Sequence, residues 1–329
     1  MRIVLPGGSG QVGTVLARHF HQEGHKVTVL SRTPRQTPWL TVVWDGKPTT
    51  GDWMDAIDGS DVCINLAGRS VNCRYGEANR LEIVESRVQT TNLLQRAMET
   101  MSAPPRVWLN ASTATIYRHS LDRPMDEVTG ELGGNEPGAP DTWNFSIRMA
   151  TEWERAFFAN SLSQTRKVAM RSAITFSPDR GGAFDLLLGL VRRGLGGTQG
   201  SGQQFVSWIH EYDFCRAVKL LIDRPDLSGV VNIAAPNPIR NCDFMRELRL
   251  AWGTWIGLPA NEWMIEFGAF FLRTESELAL KSRQVVARRL KDAGFEFLYP
   301  EWSVAAQELV TRWRRQEAGG VPETVAARA

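Results

Sequence analysis

The sequence predicts an α/β fold, a doubly wound parallel sheet carrying a small, mostly helical C-terminal lobe. Three observations lead there. Short aliphatic runs alternate with longer amphipathic stretches over the first 175 residues, and such alternation calls for crossover connections and a parallel sheet. A glycine-rich loop joins the first run to the first helical stretch, the start of a nucleotide-binding βαβ unit. Finally, 329 residues that are 43% apolar and 22% charged supply a sizeable core and lie far from the composition of disordered chains.

The predicted strands are Ile3–Leu5, Lys26–Leu30, Thr41–Trp44, Asp61–Leu66, Val107–Asn110 and Lys167–Arg171. Between the fourth and fifth, the stretch from Glu77 to Met101 reads as a helix, with Leu81, Val84, Val88, Leu93 and Leu94 close to one face. Asp122 to Asp141 holds Gly130, Gly133, Gly134, Pro137, Gly138 and Pro140. A loop of that length is usually a functional lid or disordered. A second glycine-rich stretch, Gly194 to Gly202, precedes the strand-like Phe205–Ile209. Beyond about residue 176 the alternation fades into helical segments near 183–193, 211–223, 241–252 and 262–292, read as a lobe over the sheet edge. The expected division is therefore a nucleotide-binding domain over 1–175, joined by elements from about 203–234. A smaller lobe over 176–316 and a frayed tail over 317–329 complete it.

Composition also narrows function. With 38 basic and 36 acidic side chains, no electrostatic surface for nucleic acid or an anionic membrane is expected. The longest apolar runs are short pieces such as Ala269–Leu272, and the chain opens directly into Arg2–Leu5. Neither a membrane span nor a signal peptide is predicted, so the expected location is cytoplasmic. Cys63, Cys73, Cys215 and Cys242 form no Cys-x-x-Cys pair and read as free thiols. His19, His21 and His25 straddle a helix end, and no metal site is expected.

The strongest local signal is Gly7-Gly8-Ser9-Gly10-Gln11-Val12-Gly13. Glycines there permit a sharp turn and let backbone N–H groups approach a pyrophosphate at a helix N-terminus. The bland alternative is a purely structural turn, but the strand before and helix after favour a dinucleotide. An NAD site would place an acid about 20 residues on. The second strand instead runs into Ser31-Arg32-Thr33-Pro34-Arg35. Guanidinium groups suit a 2′-phosphate, so NADP(H) is the predicted cofactor; the alternative for Arg32 and Arg35 is a solvated pair.

Several segments are similar to the extended short-chain dehydrogenase/reductases: the glycine loop, Asn65-Leu66-Ala67-Gly68, and Ala111-Ser112-Thr113-Ala114-Thr115-Ile116-Tyr117. More narrowly, the chain resembles the YfcH-type epimerase-family proteins. That match rests on Ser86-Arg87-Val88-Gln89-Thr90-Thr91, Gly181-Gly182-Ala183, and Gly200-Ser201-Gly202-Gln203 leading into Ser207-Trp208-Ile209-His210. It also rests on Leu290-Lys291-Asp292-Ala293-Gly294-Phe295-Glu296-Phe297 followed by Tyr299-Pro300. The resemblance covers essentially the whole chain. It implies an NADP(H)-binding Rossmann domain, an undefined small-molecule substrate and, as one option, a homodimer. Gly7, Gly8, Ser9, Gly10, Gln11, Val12 and Gly13 would hold the pyrophosphate, with Ser31 and Arg32 at the 2′-phosphate. Leu66, Ala67 and Gly68 would line the adenosine side, Arg87 would face the cofactor from the long helix, and Ala173 and Ile174 would lie near the nicotinamide.

The superfamily's chemistry uses a tyrosine as general acid and base, with a lysine four residues on. The residues four after Tyr75, Tyr117, Tyr212 and Tyr299 are Asn79, Leu121, Arg216 and Ser303. Phe145 and Met149 stand where the pair belongs, and neither moves a proton. Thr113 matches the position of the superfamily's third catalytic hydroxyl. Tyr117 is either a substitute acid or an aromatic wedged under the long loop. Arg148 is either an anchor for an anionic substrate or a surface residue. His210 is either a proton shuttle or a group that orders a helix start. Trp208 and Trp143 are either a roof over the pocket or packing. Two functions follow from these alternatives. One is an NADP(H)-dependent oxidoreductase or epimerase-like enzyme on a small carbonyl or alcohol. The other is a non-catalytic NADP(H)-binding sensor or regulatory protein.

Overall fold

The computed structural model describes residues 1–33, 35–47, 51–265 and 277–319. Seven strands form one parallel sheet. They include β1 (Arg2–Pro6), β2 (Lys26–Ser31), β3 (Leu40–Val43), β4 (Val62–Asn65), β5 (Val107–Thr113) and β6 (Arg166–Ser172). The short strands β7 (Ile174–Phe176), β8 (Phe205–Val206) and β9 (Trp208–His210) stand outside it, and β10 (Gly229–Ile233) closes it. The spatial order is β3-β2-β1-β4-β5-β6-β10, every neighbouring pair parallel. The order reverses between β1 and β4, and such a switch point opens a crevice beyond the carboxyl ends of the strands.

Alternation along the strands sends side chains to both faces of the sheet. Ile3 and Leu5 pack with α1 (Gln11–Gln22), through Val15, Leu16 and Phe20. Val4, Cys63 and Trp108 face the other way, against α2 (Asp52–Ile57), α3 (Glu77–Thr100) and α4 (Asp141–Phe158). The sheet is thus covered on both faces, as buried parallel strands require. A further cluster joins Phe184 and Leu188 of α5 (Ala183–Arg192), Phe244 and Leu248 of α7 (Asn241–Trp252) and Trp302 of the terminal helix Trp302–Glu317. Between those, α6 (Glu211–Asp223) lies on the α1 side of the sheet, its Phe214 and Val218 in the same core. No helix among the described residues is long and apolar enough to cross a membrane.

Four expectations need correction. The buried face of α3 is Ile83, Arg87, Thr90, Thr91, Leu94 and Met98, whereas Leu81 is exposed. Polar residues occupy the inward face because it looks onto the crevice, so apolar periodicity points a few residues astray. The strand-like Phe205–Ile209 is broken at Ser207, whose Oγ donates to Arg283 O and accepts from Val285 N–H. The long loop after Tyr117 is stitched down: Met125 N–H donates to Gln284 O, and Val286 N–H donates back to Met125 O. Of the helix expected over 262–292, residues 262–265, Glu277–Leu280 and Arg288–Asp292 are helical, and 281–287 are not. Residues 266–276, with the apolar run Ala269–Leu272, and residues 320–329 of the expected tail lie outside the described residues.

Candidate functional site

The crevice begins at the glycine loop. Gly7 has φ +73°, and a Cβ there would sit 2.5 Å from Ala67 Cα. At Gly13 a Cβ would lie 2.5 Å from Gly8 Cα. A side chain at either position pushes the loop off the sheet or off its own helix. Gly10 caps α1 without a side chain, and no acid occupies the first turn, so the positive helix end is open to an anion. The buried Gln11 Nε2 has no hydrogen-bond partner among the described residues.

Across the crevice, buried Asn65 fixes the turn after β4. Its Nδ2 donates to Asn110 Oδ1 at 2.7 Å, and its Oδ1 accepts from Ala67 N–H at 3.1 Å. Leu66-Ala67-Gly68 is thereby held against Gly7. At the end of β2, Ser31 is buried and its Oγ accepts from Thr33 N–H. Arg32 is exposed, with no hydrogen bond or ion pair among the described residues. Arg35 instead clamps the glycine loop from behind, donating to Ser9 O at 2.9 Å.

The crevice deepens into a cavity of about 320 Å³. Val12, Leu66, Arg87, Thr113 and Ala173 line it together, drawn from five separate segments. Arg87 is its most telling residue. It is 9% exposed, donates to Ile83 O of its own helix at 2.9 Å and lies 5.1 Å from the Trp153 ring. No carboxylate among the described residues pairs with it. Burial holds its pKa down to about 10, and its Nε is buried without a partner. A guanidinium buried without a counter-charge is costly and is relieved by an anionic ligand.

The other end of the cavity holds residues that the sequence did not single out: Tyr75, Ser112, Ser146, Glu277 and Arg283. Ser112 Oγ donates to Glu154 at 2.5 Å, and Glu154 forms a buried ion pair with Arg171 at 2.6 Å. Ser146 Oγ donates to Glu277, which also pairs with Arg283 at 3.4 Å. Burial lowers the pKa of Arg283, Glu277 opposing. Glu277 and Arg283 come from some 200 residues beyond Tyr75, and no local motif announces them.

The remaining expected site residues fall elsewhere. Tyr117 is 2% exposed and outside the cavity lining. Its hydroxyl donates to Asn232 Oδ1 at 2.9 Å and accepts from Arg171 Nη1 at 3.0 Å. Burial raises its pKa, with Arg171 only partly opposing, so it is placed as a packed aromatic and not as an acid. Arg148 is exposed, 3.7 Å from Asp141. Trp208 is fully buried in the lobe core, its Nε1 donating to Asn237 O. Trp143 stacks on His119 outside the cavity lining. His210 is fully buried, caps α6 by accepting from Tyr212 N–H and meets Glu308 at 2.9 Å. Ile174 belongs to β7, whose pairing with β9 turns it towards the lobe. None of these six is among the residues that line the cavity.

Comparison with known proteins agrees with this architecture. The profile described as the NAD dependent epimerase/dehydratase family matches residues 3–234. A domain of unknown function (DUF1731) matches residues 262–309. The human epimerase family protein SDR39U1 is 30% identical over 313 residues, covering 94% of this chain and 100% of the relative. The epimerase family protein YfhF of Bacillus subtilis is 27% identical over 311 residues, covering 94% of this chain and 98% of the relative. The crystal structure of human SDR39U1 (isoform 2) with NADPH superposes with a TM-score of 0.82, covering 94% of this chain and 99% of that one.

Proposed function

The chain belongs to the NAD dependent epimerase/dehydratase family, and from that premise we propose that it binds NADP(H) in the crevice and transfers a hydride to or from a small carbonyl or alcohol. The transfer is either a stand-alone reduction or the transient step of an epimerisation. When bound, the cofactor supplies or accepts the hydride at its nicotinamide ring. The chain's own groups do the rest. The glycine loop and the open end of α1 cradle the pyrophosphate. Exposed Arg32 meets the 2′-phosphate, and Arg87 supplies the buried positive charge. Ser172 and Ala173 border the cavity where the ring would lie. Thr113 Oγ1 accepts from Thr115 N–H at 3.1 Å, leaving its own O–H to polarise a substrate oxygen.

The observation that carries this reading is Arg87, a buried cation lining the crevice with no carboxylate paired to it among the described residues. A second reading, a cofactor-responsive binding protein, is favoured by Phe145 and Met149 at the positions of the superfamily's proton-moving pair. One experiment separates them. NADPH is titrated against tryptophan emission, Trp153 being in the cavity lining, and its oxidation is then followed with a panel of aldehydes, ketones and quinones. Arg87→Met weakens binding about tenfold or more. Turnover supports the oxidoreductase, tight binding without turnover supports the sensor, and no binding overturns both.

A further inference from the structure

Resting on the oxidoreductase reading, the geometry points to Tyr75 as the proton donor that replaces the missing tyrosine, we propose, with Arg87 and Arg283 as its flanking cations.

Phe145 occupies the superfamily's tyrosine position, and Tyr75 packs edge-on against it, ring centroids 5.0 Å apart. A phenol from the segment before α3 therefore stands beside the place where α4 offers only a phenyl ring. Of the four tyrosines, Tyr75 lines the cavity; Tyr117 is engaged beneath the long loop, and Tyr212 and Tyr299 pack around His210. The other cavity hydroxyls, on Ser112, Thr113, Thr115, Ser146, Ser172 and Thr175, are aliphatic and far weaker acids than a phenol.

The charges around Tyr75 suit the task. Arg87 from α3 and Arg283 from the C-terminal segment line the same cavity and lie within electrostatic reach of its hydroxyl. Glu277, paired with Arg283 and Lys281, is the carboxylate in that lining and opposes them. Arg80 donates to Tyr75 O and lies over the Phe145 ring at 5.0 Å, but its charge is offset by Asp141 at 2.6 Å, so the two cavity-lining guanidinium groups carry the effect. Cations near a phenol favour its ionised form. The hydride brings two electrons and a hydrogen to the carbonyl carbon. The C=O π pair moves onto oxygen, which takes the Tyr75 proton. The phenolate left behind is held by the two guanidinium groups and reprotonated by water. Two guanidinium groups thus take the place of the lysine ordinarily four residues on.

The test uses the full chain and its Tyr75→Phe, Arg283→Gln and Tyr117→Phe variants. Phenolate absorbance, taken as wild type minus Tyr75→Phe between pH 6 and 10, is expected to show one ionisation with a midpoint below the value of about 10 for free tyrosine. Arg283→Gln moves that midpoint up. With NADPH and 9,10-phenanthrenequinone as probe, kcat falls about a hundredfold or more in Tyr75→Phe, at unchanged NADPH affinity, and is kept in Tyr117→Phe. An ordinary midpoint, or turnover that survives Tyr75→Phe, overturns the assignment while NADPH binding stands. Wild type that binds NADPH but turns over no probe removes the catalytic role. Wild type that does not bind NADPH overturns the cofactor reading itself.

Discussion

Removing the Tyr117 hydroxyl takes a bond from Arg171 and another from Asn232, both buried. Tyr117→Phe is therefore expected to cost about 1–3 kcal/mol in denaturant unfolding and to leave NADPH affinity unchanged. Gly7→Ala behaves in the opposite way. It forces a side chain into left-handed backbone and against Ala67, for roughly 2–5 kcal/mol, and binding fails with the displaced loop; calorimetry with NADPH reads both effects. Single residues were legible where local chain geometry dictates them. The glycines follow from position beside a strand end, whereas Thr113 was marked only by the family resemblance. Tyr117, Arg148, Trp208 and His210 were ambiguous because their partners, Asn232, Asp141, Asn237 and Glu308, are set by the fold and mostly lie far off in sequence.

At the scale of elements, α3 and β6 carry the site's energetics. The inward face of α3 carries Arg87, Thr90 and Thr91, and Thr91 Oγ1 accepts from Trp153 Nε1 at 3.1 Å, tying α3 to α4. A helix face that serves a polar crevice escapes apolar periodicity, which is why, of the expected Leu81, Val84, Val88, Leu93 and Leu94, Leu94 alone belongs to the buried face. β6 ends in Arg171, which is ion-paired to Glu154 of α4, with Ser112 of β5 on the same carboxylate. Arg171→Met strands that carboxylate in the core and is expected to destabilise by about 3–5 kcal/mol. Chemical denaturation measures it, and a loss below about 1 kcal/mol would contradict the role assigned to the pair. Five of the six expected strands lie within a residue of the observed ones, since parallel strands read as short aliphatic runs, whereas β5 runs three residues beyond Asn110 to Thr113 and β10 was not expected as a strand.

Across the whole molecule, the segment around residues 277–285 completes the cavity from the far end of the chain, and nothing local in the sequence forecasts that return. Lys281 shows its cost. Fully buried beneath the long loop, it donates to Thr115 O at 2.8 Å, and burial lowers its pKa from 10.5 to about 8. Below pH 8 the lysine is charged whether folded or unfolded, and the burial cost is carried in full. Between about 8 and 10.5 the unfolded chain holds the extra proton, so this group makes stability rise with pH, by on the order of 3 kcal/mol over the window. Thermal unfolding against pH should show that rise in wild type and a flatter profile in Lys281→Met. The crevice as a whole is expected to take a 2′-phosphorylated nicotinamide dinucleotide. The most direct measurement is the ratio of NADPH to NADH dissociation constants, in wild type and in Arg32→Ala. A preference for NADPH of about tenfold or more, abolished by Arg32→Ala with NADH affinity unchanged, is the predicted result. Equal affinities in wild type, or a preference that survives Arg32→Ala, would contradict it.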